Sequence, residues 1–330
     1  MPKPKVFVSR IIPDEGLNML RAIAETEVWQ DELPPPRDVL LSKVKQSDGL
    51  VSLLTDKIDG ELMDANPRLK VISQMAVGYD NIDVPAATAR GIPIGNTPGV
   101  LTDTTADFAF ALLMSAARRI PEGIDFVRAK KWKTWGPLLL TGPDVWGATL
   151  GIIGFGRIGQ GMANRARGFN MRVLYYDVYR RADLEKSMGV QYVEMDTLLR
   201  ESDFVTIHTD LNEKTRHLMN ANAFAKMKRS AILVNASRGP MVDHAALYDA
   251  LKSGKIYGAA LDVTEPEPIN LDNPLLQLPN CIIVPHIASA SIATRAKMAT
   301  MAAANLIAGL RGEKLPTCVN PEVYERGIRT

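Results

Sequence analysis

Cysteine is scarce in this chain. Its two cysteines, Cys281 and Cys318, are too few for a disulfide framework and lack the spacing of a metal site, so the expectation is no structural or catalytic metal. Long apolar runs are missing too. No stretch reaches the roughly 20 apolar residues needed to cross a bilayer. The leading segment Met1-Pro2-Lys3-Pro4-Lys5-Val6-Phe7-Val8 enters a strand-like run without a secretory apolar core, which predicts a cytoplasmic protein with no membrane partner. Nor is there an excess of charge of one sign: 39 Lys and Arg against 37 Asp and Glu leave a net charge of +2, which gives no strong field for nucleic acid. Low-complexity tails and short repeats are absent. What is present is 330 residues with 46% hydrophobic content, enough for two ordinary domains with separate cores. Small molecules are the expected partners.

The most informative segment lies near the middle. A strand-like run, Thr149-Leu150-Gly151-Ile152-Ile153, leads into Gly154-Phe155-Gly156-Arg157-Ile158-Gly159 and then a helical stretch. In such a dinucleotide fingerprint Gly154 permits the tight turn, Gly156 lets the backbone approach a pyrophosphate, and Gly159 lets the helix sit close to the strand. Amides at the helix start, those of Arg157 and Ile158 among them, face the phosphates. Asp177 closes the next apolar run, Arg172-Val173-Leu174-Tyr175-Tyr176, at roughly the spacing of about 20 residues at which an acid meets a ribose hydroxyl. A carboxylate there favours NAD, while Arg180 and Arg181 keep NADP as the alternative.

The segment before the fingerprint alternates strands (Lys5 to Ser9, Gly49 to Leu54, Lys70 to Ser73, Ile92 to Gly95) with helices (around Gly16 to Ala24, Arg37 to Lys45, Gly60 to Asn66, Val84 to Arg90). This alternation predicts a parallel sheet covered on both faces. An apolar helix is expected over Thr104 to Ile120, buried on nearly every side. Beyond the fingerprint come strands at Phe204 to His208, Ala231 to Asn235, Ala259 to Val263 and Ile282 to Val284, with a helix at His244 to Ser253 and a final Ala-rich and Met-rich helix at Ile292 to Leu310, expected to dock on the first domain. The fold class is α/β with two doubly wound parallel-sheet domains.

Of the four histidines, His217 and His244 read as surface or helix-cap positions and His208 ends a strand. His286 differs. It follows Ile282-Ile283-Val284-Pro285 at a strand's C-terminal edge, where ligands of open α/β sheets sit. Two other edges carry Asn235-Ala236-Ser237-Arg238-Gly239 and Asp262-Val263-Thr264-Glu265-Pro266-Glu267-Pro268. Reducing a keto acid by hydride needs a cation for the carboxylate, an acid for the carbonyl oxygen and a partner that tunes the acid. Arg, His and Glu supply these roles.

This ordered series, together with Ala76-Val77-Gly78-Tyr79-Asp80-Asn81-Ile82-Asp83 and Val100-Leu101-Thr102-Asp103-Thr104-Thr105-Ala106, resembles the D-isomer-specific 2-hydroxyacid dehydrogenases from Lys5 to about Val323, and within them the glyoxylate/hydroxypyruvate reductases. The resemblance implies a discontinuous, flavodoxin-like substrate domain (1–100 and 287–330) around a Rossmann NAD-binding domain (101–286). It implies that Arg238 clamps the substrate carboxylate and carbonyl, that His286 is the general acid/base, and that Glu267 pairs with it and raises its pKa, Glu265 being the alternative partner. The amides of Val77 and Gly78 are similar to those that hold the carboxylate. Asp262 resembles the residue that orients the nicotinamide amide, and Thr105 lies near the cofactor. Leu54 resembles a pocket wall. Trp135 resembles an aromatic that reaches into the neighbouring subunit's pocket, so a homodimer is expected. The implied reaction is NAD(H)-dependent reduction of glyoxylate or hydroxypyruvate. Another small 2-hydroxy acid and an NADH-sensing regulatory protein are the alternatives. Ala76 stands where phosphite-acting relatives carry lysine. Two positions depart from the pattern: Asp210 where a proline is usual, and Ala288 where a glycine is usual.

Overall fold

The computed structural model describes residues 2–329, which divide into two compact units, 2–101 with 290–329, and 102–289. Each is built around its own sheet, and every strand pairing within both sheets is parallel.

The first unit runs β1 (Lys5–Val8), α1 (Asp14–Ile23), β2 (Glu25–Val28), α2 (Arg37–Val44), β3 (Gly49–Ser52), α3 (Gly60–Asp64), β4 (Val71–Gln74), α4 (Val84–Ala89) and β5 (Ile94–Gly95). The strand order is β2-β1-β3-β4-β5, the flavodoxin-like order, with its topological switch between β1 and β3. β3 and β4 are buried at every position, as strands covered on both faces must be. β2 was not apparent from the sequence. Its Glu25-Thr26-Glu27-Val28 run is half-exposed at the sheet edge, so it carries no apolar signal.

The second unit opens with α5 (Thr102–Ala117) and α6 (Ile120–Arg128). The single helix expected to reach Ile120 stops at Ala117, and Arg119, held in the left-handed region at φ 53°, starts a new one. Then follow β6 (Thr149–Ile153), α7 (Arg157–Arg167), β7 (Arg172–Tyr176), α8 (Ala182–Met188), β8 (Val190–Tyr192), α9 (Met195–Glu201), β9 (Phe204–Ile207), α10 (Ala221–Lys226), β10 (Ile232–Asn235), α11 (His244–Lys252), β11 (Gly258–Leu261) and β12 (Cys281–Ile283). The order β12-β11-β10-β9-β6-β7-β8 reverses between β6 and β9, which is the Rossmann arrangement. Ala106, Ala109, Leu113, Leu150, Ile152, Met162, Ala163 and Val234 pack the core under α5 and α7. Each large apolar side chain buried in this way contributes about 1.5–3 kcal/mol.

The chain then returns to the first unit through α12 (Ile292–Leu310) and α13 (Val323–Arg326). The Ser291 side chain caps α12 by accepting the Thr294 N–H, and the helix packs on α1, β3 and β4. Ser73 donates to the Ala302 carbonyl at 2.8 Å, which fixes α12 on the sheet. Among the described residues no helix is long and apolar enough to cross a membrane.

Candidate active site

The dinucleotide loop joins β6 to α7 at the switch point of the second unit. Gly154 has φ +90°, and a Cβ there would meet the His208 carbonyl oxygen at 2.5 Å. A Cβ on Gly159 would lie 2.2 Å from the Gly154 oxygen, so helix and strand touch there. Gly156 is different: a Cβ would meet nothing within 4 Å. That open space lies at the start of α7, whose N-cap, Gly156 itself, offers no side-chain acceptor to the first-turn amides. Arg157 is exposed and Ile158 half-buried. The loop therefore has both the room and the donors that a pyrophosphate needs. Thr105 is buried in the first turn of α5, which packs along α7.

At the end of β7, Asp177 accepts the Phe155 N–H at 2.6 Å on one oxygen and the Tyr179 N–H at 3.0 Å on the other. Arg180 is paired with Glu185 (2.7 and 2.9 Å), and Arg181 with Asp183 (3.0 and 2.8 Å). The Tyr175 hydroxyl, whose ring stacks on Phe155, accepts the Arg181 N–H and donates to Glu185, so the whole turn is held from below.

The second group gathers at the ends of β10, β11 and β12. Asn235 ends β10; its side chain donates to the Arg238 carbonyl at 2.9 Å and accepts the Ser237 N–H at 3.0 Å, shaping the turn that presents Arg238. Beyond β11 the fully buried Asp262 accepts the amides of Ile287 (2.7 Å) and Ala288 (2.9 Å), one on each oxygen, while its carbonyl accepts the His286 N–H at 2.8 Å. Three bonds thus hold His286 in the left-handed region, φ 53°, which a residue with a Cβ seldom occupies. Burial pushes the Asp262 carboxyl above its usual range against the opposing pull of those amides. No sequence pattern marks Asp262 as the anchor of the histidine loop, because its partners are backbone groups. Ala288 is buried in the core beside α5, so the methyl replacing the usual glycine hydrogen is packed.

The Nδ1–H of His286 donates to Glu267 at 2.5 Å. Burial works to raise the Glu267 carboxyl, but the hydrogen bond and charge of His286, the Thr264 amide and the charge of Arg238 outweigh it and hold it below its ordinary value. Arg238, Glu267 and His286 therefore share one electrostatic neighbourhood. Glu265, the other carboxylate in reach by sequence, is turned elsewhere: it binds Arg216 at 2.5 Å and His217 at 2.9 Å. His217 is exposed, whereas both ring nitrogens of His244 are shielded from solvent. His208 donates or accepts at Thr206 through Nε2, and burial lowers its pKa to about 3, so it stays neutral. Asp210 is exposed, and its carbonyl accepts the Thr215 hydroxyl at 2.7 Å.

In the first unit, Leu54 follows β3 and Val77 and Gly78 follow β4, all half-buried at the C-terminal edge of that sheet. Trp135, in the irregular segment after α6, is 77% exposed and belongs to none of these groups.

A Rossmann unit with this loop and this Arg, Glu and His set defines a nicotinamide-dependent dehydrogenase. The family model for the D-isomer specific 2-hydroxyacid dehydrogenase NAD binding domain matches residues 110–288. The chain is 57% identical to a glyoxylate reductase of Korarchaeum cryptofilum, with 98% of each chain covered. It superposes on the crystal structure of a glyoxylate reductase from Paecilomyes thermophila with a TM-score of 0.84 at 33% identity, covering 98% of this chain and 99% of that one. An NADPH-dependent glyoxylate/hydroxypyruvate reductase of Sinorhizobium meliloti, solved with NADP and malonate, gives a TM-score of 0.82 at 32% identity over 96% of this chain and 97% of that one. The chain belongs to the D-isomer specific 2-hydroxyacid dehydrogenases. It is an oxidoreductase that acts on the CH–OH group of 2-hydroxy acids with a nicotinamide cofactor.

Proposed function

We infer that the chain reduces glyoxylate or hydroxypyruvate to glycolate or D-glycerate with NADH. The observation that carries this reading is the His286 and Glu267 pair, 2.5 Å apart and in the field of Arg238, in the same unit as the dinucleotide loop. A bound reduced nicotinamide supplies the hydride. Arg238 holds the substrate carboxylate and polarises the keto oxygen through its planar fork. With Nδ1 engaged by Glu267, Nε2 is the ring nitrogen that delivers a proton to that oxygen, and Glu267 stabilises the charged imidazole before delivery. The amides of Val77 and Gly78 bind the carboxylate, and Leu54 limits the side chain. Asp262 accepts from the nicotinamide carboxamide on the lone pairs left after its two amide bonds.

The cofactor preference rests on Asp177. Each of its oxygens accepts one backbone amide and keeps a lone pair for a ribose hydroxyl, whereas a 2′-phosphate would meet its negative charge. The arginines that could offset that charge are paired with Glu185 and Asp183. The substrate class rests on the similarity to glyoxylate reductases. A homodimer is supported by an apolar surface: α6 has no buried residue, and Trp132 (60% exposed), Trp135 (77%), Leu138 (85%) and Trp146 (68%) follow it. A second copy covers this face and Trp135 reaches its pocket.

Steady-state oxidation of NADH and NADPH with glyoxylate and with hydroxypyruvate tests the reading. The expected result is turnover of both acids and a kcat/KM at least about tenfold higher with NADH, the size of one well-placed hydrogen bond to a charged group. Preference for NADPH would overturn the role of Asp177, and turnover of neither acid would overturn the substrate.

A further inference from the structure

Two neighbouring backbone amides in the first unit, those of Val77 and Gly78, have no hydrogen-bond partner among the described residues, while the carbonyls that share their peptide planes are both pinned. The Ala76 carbonyl accepts the Thr97 N–H at 2.8 Å. The Val77 carbonyl accepts from the Asn96 side-chain amide at 2.9 Å. A trans peptide is planar with N–H and C=O on opposite sides, so fixing each carbonyl toward the end of β5 turns the attached N–H the other way. Asn96 is itself fixed: it is 9% exposed, and its carbonyl accepts from Asn305 (2.9 Å) and Thr317 (2.6 Å).

A second set of side-chain amides joins this loop to the one that carries Leu54. Ser52 and Gln74 are register partners at the ends of β3 and β4, and Gln74 is completely buried. Gln74 and Asn81 exchange hydrogen bonds, Gln74 Nε2 donating to Asn81 Oδ1 at 2.7 Å and Asn81 Nδ2 to Gln74 Oε1 at 3.0 Å. Gln74 also donates to the Gly78 carbonyl at 2.7 Å. Asn81 also donates to the carbonyls of Leu53 (3.1 Å) and Asp56 (2.8 Å). The two loops are therefore tied together by neutral groups. Carboxylates in the same places would pay desolvation and repel an incoming anion.

We propose that Asn96, Gln74 and Asn81 are positioning residues for the substrate: Asn96 aims the Gly78 amide, beside the Val77 amide that the Thr97 N–H turns through the Ala76 carbonyl, at its carboxylate, and the Gln74–Asn81 pair sets the spacing between that anchor and Leu54, hence the size of keto acid accepted. This rests on the assignment of Leu54, Val77 and Gly78 to substrate binding made above.

The experiment measures kcat and KM for glyoxylate, hydroxypyruvate and a bulkier 2-keto acid, with NADH affinity and Tm, in Asn96→Ala, Asn81→Ala and the volume-conserving Gln74→Met. Asn96→Ala raises KM for all three acids about tenfold, the worth of one hydrogen bond to an anion, with kcat and NADH affinity within about twofold. Asn81→Ala and Gln74→Met change the ratio of kcat/KM for glyoxylate over the bulkier acid about fivefold or more, on the scale of one pocket contact. If Asn81→Ala does not fold, Gln74→Met carries that arm. A lower Tm with KM and substrate ratios unchanged would overturn the proposal and leave these residues purely structural. Arg238→Ala separates the two failures. If it abolishes keto-acid saturation while the three variants keep wild-type KM and ratios, the amide frame alone is wrong; if it leaves saturation intact, the site reading falls and this proposal with it.

Discussion

At the scale of single residues, chemistry depends on how backbone groups hold a few side chains. His286 occupies an unfavourable backbone region because Asp262 takes three bonds from its loop, and its ring is oriented by Glu267. Removing the carboxylate charge while keeping the shape tests that orientation. Glu267→Gln is expected to lower kcat/KM about 100-fold, near the lower end of what a positioned acid–base group contributes. Unchanged kinetics would remove Glu267 from the mechanism. The same variant has a pH signature. Glu267 is held below its usual value in the folded state, so its stabilising contribution is complete above the unfolded carboxylate range, near about pH 4.3, and is lost as pH falls through the lower folded value. Wild type should therefore be more stable than Glu267→Gln at pH 7 by thermal unfolding, and the gap should close below about pH 4. A gap that widened toward acid would contradict the sign.

At the scale of elements, the three glycines of the β6–α7 loop have separate physical tasks, and substitution should separate them. Gly159→Ala drives a methyl into the Gly154 carbonyl, so it should destabilise the fold by about 1–3 kcal/mol, as overpacking does. Gly156→Ala meets open space, so it should leave Tm nearly unchanged yet weaken nucleotide binding, because the methyl occupies room the pyrophosphate needs. Isothermal titration and thermal unfolding of the pair check this; equal loss of Tm in both would contradict it. The elements also show where sequence patterns carry information. Strands buried along all or nearly all of their length, such as β6, β9 and β10, announce themselves as apolar runs between turns, and α12 lies where its Ala-rich and Met-rich pattern predicts. β2 and the three-residue β8 do not, since edge strands lack a buried face on one side. The break between α5 and α6 is equally silent, because Arg119 itself gives no turn signal; in the structure it is left-handed and its side chain pairs with Glu122 in the next turn and donates to the Thr141 carbonyl.

At the scale of the whole molecule, Arg238, Glu267 and His286 were legible because strand ends in an open sheet must present polar groups there, whereas Asn96, Gln74 and Asn81 were not, since buried amides that bond to backbone look like ordinary loop polarity in a sequence. The sequence favours Glu267 over Glu265 only through the family resemblance; in the structure Arg216 and His217, some 50 residues earlier in the chain, hold Glu265. The exposed apolar segment after α6 bears on assembly. Trp135→Ala should shift preference among keto acids while leaving cofactor affinity unchanged, and light scattering should give a dimer for wild type. Unchanged relative kcat/KM values across glyoxylate, hydroxypyruvate and a bulkier acid would remove Trp135 from the pocket, and a monomer would remove the dimer. The most direct test of the central claim is the rate of NADH oxidation by hydroxypyruvate in wild type and His286→Ala, with NADH affinity measured alongside. Unaltered NADH binding and a fall in kcat of about 100-fold or more, the contribution of a positioned general acid, are expected. A variant that keeps wild-type kcat would contradict it.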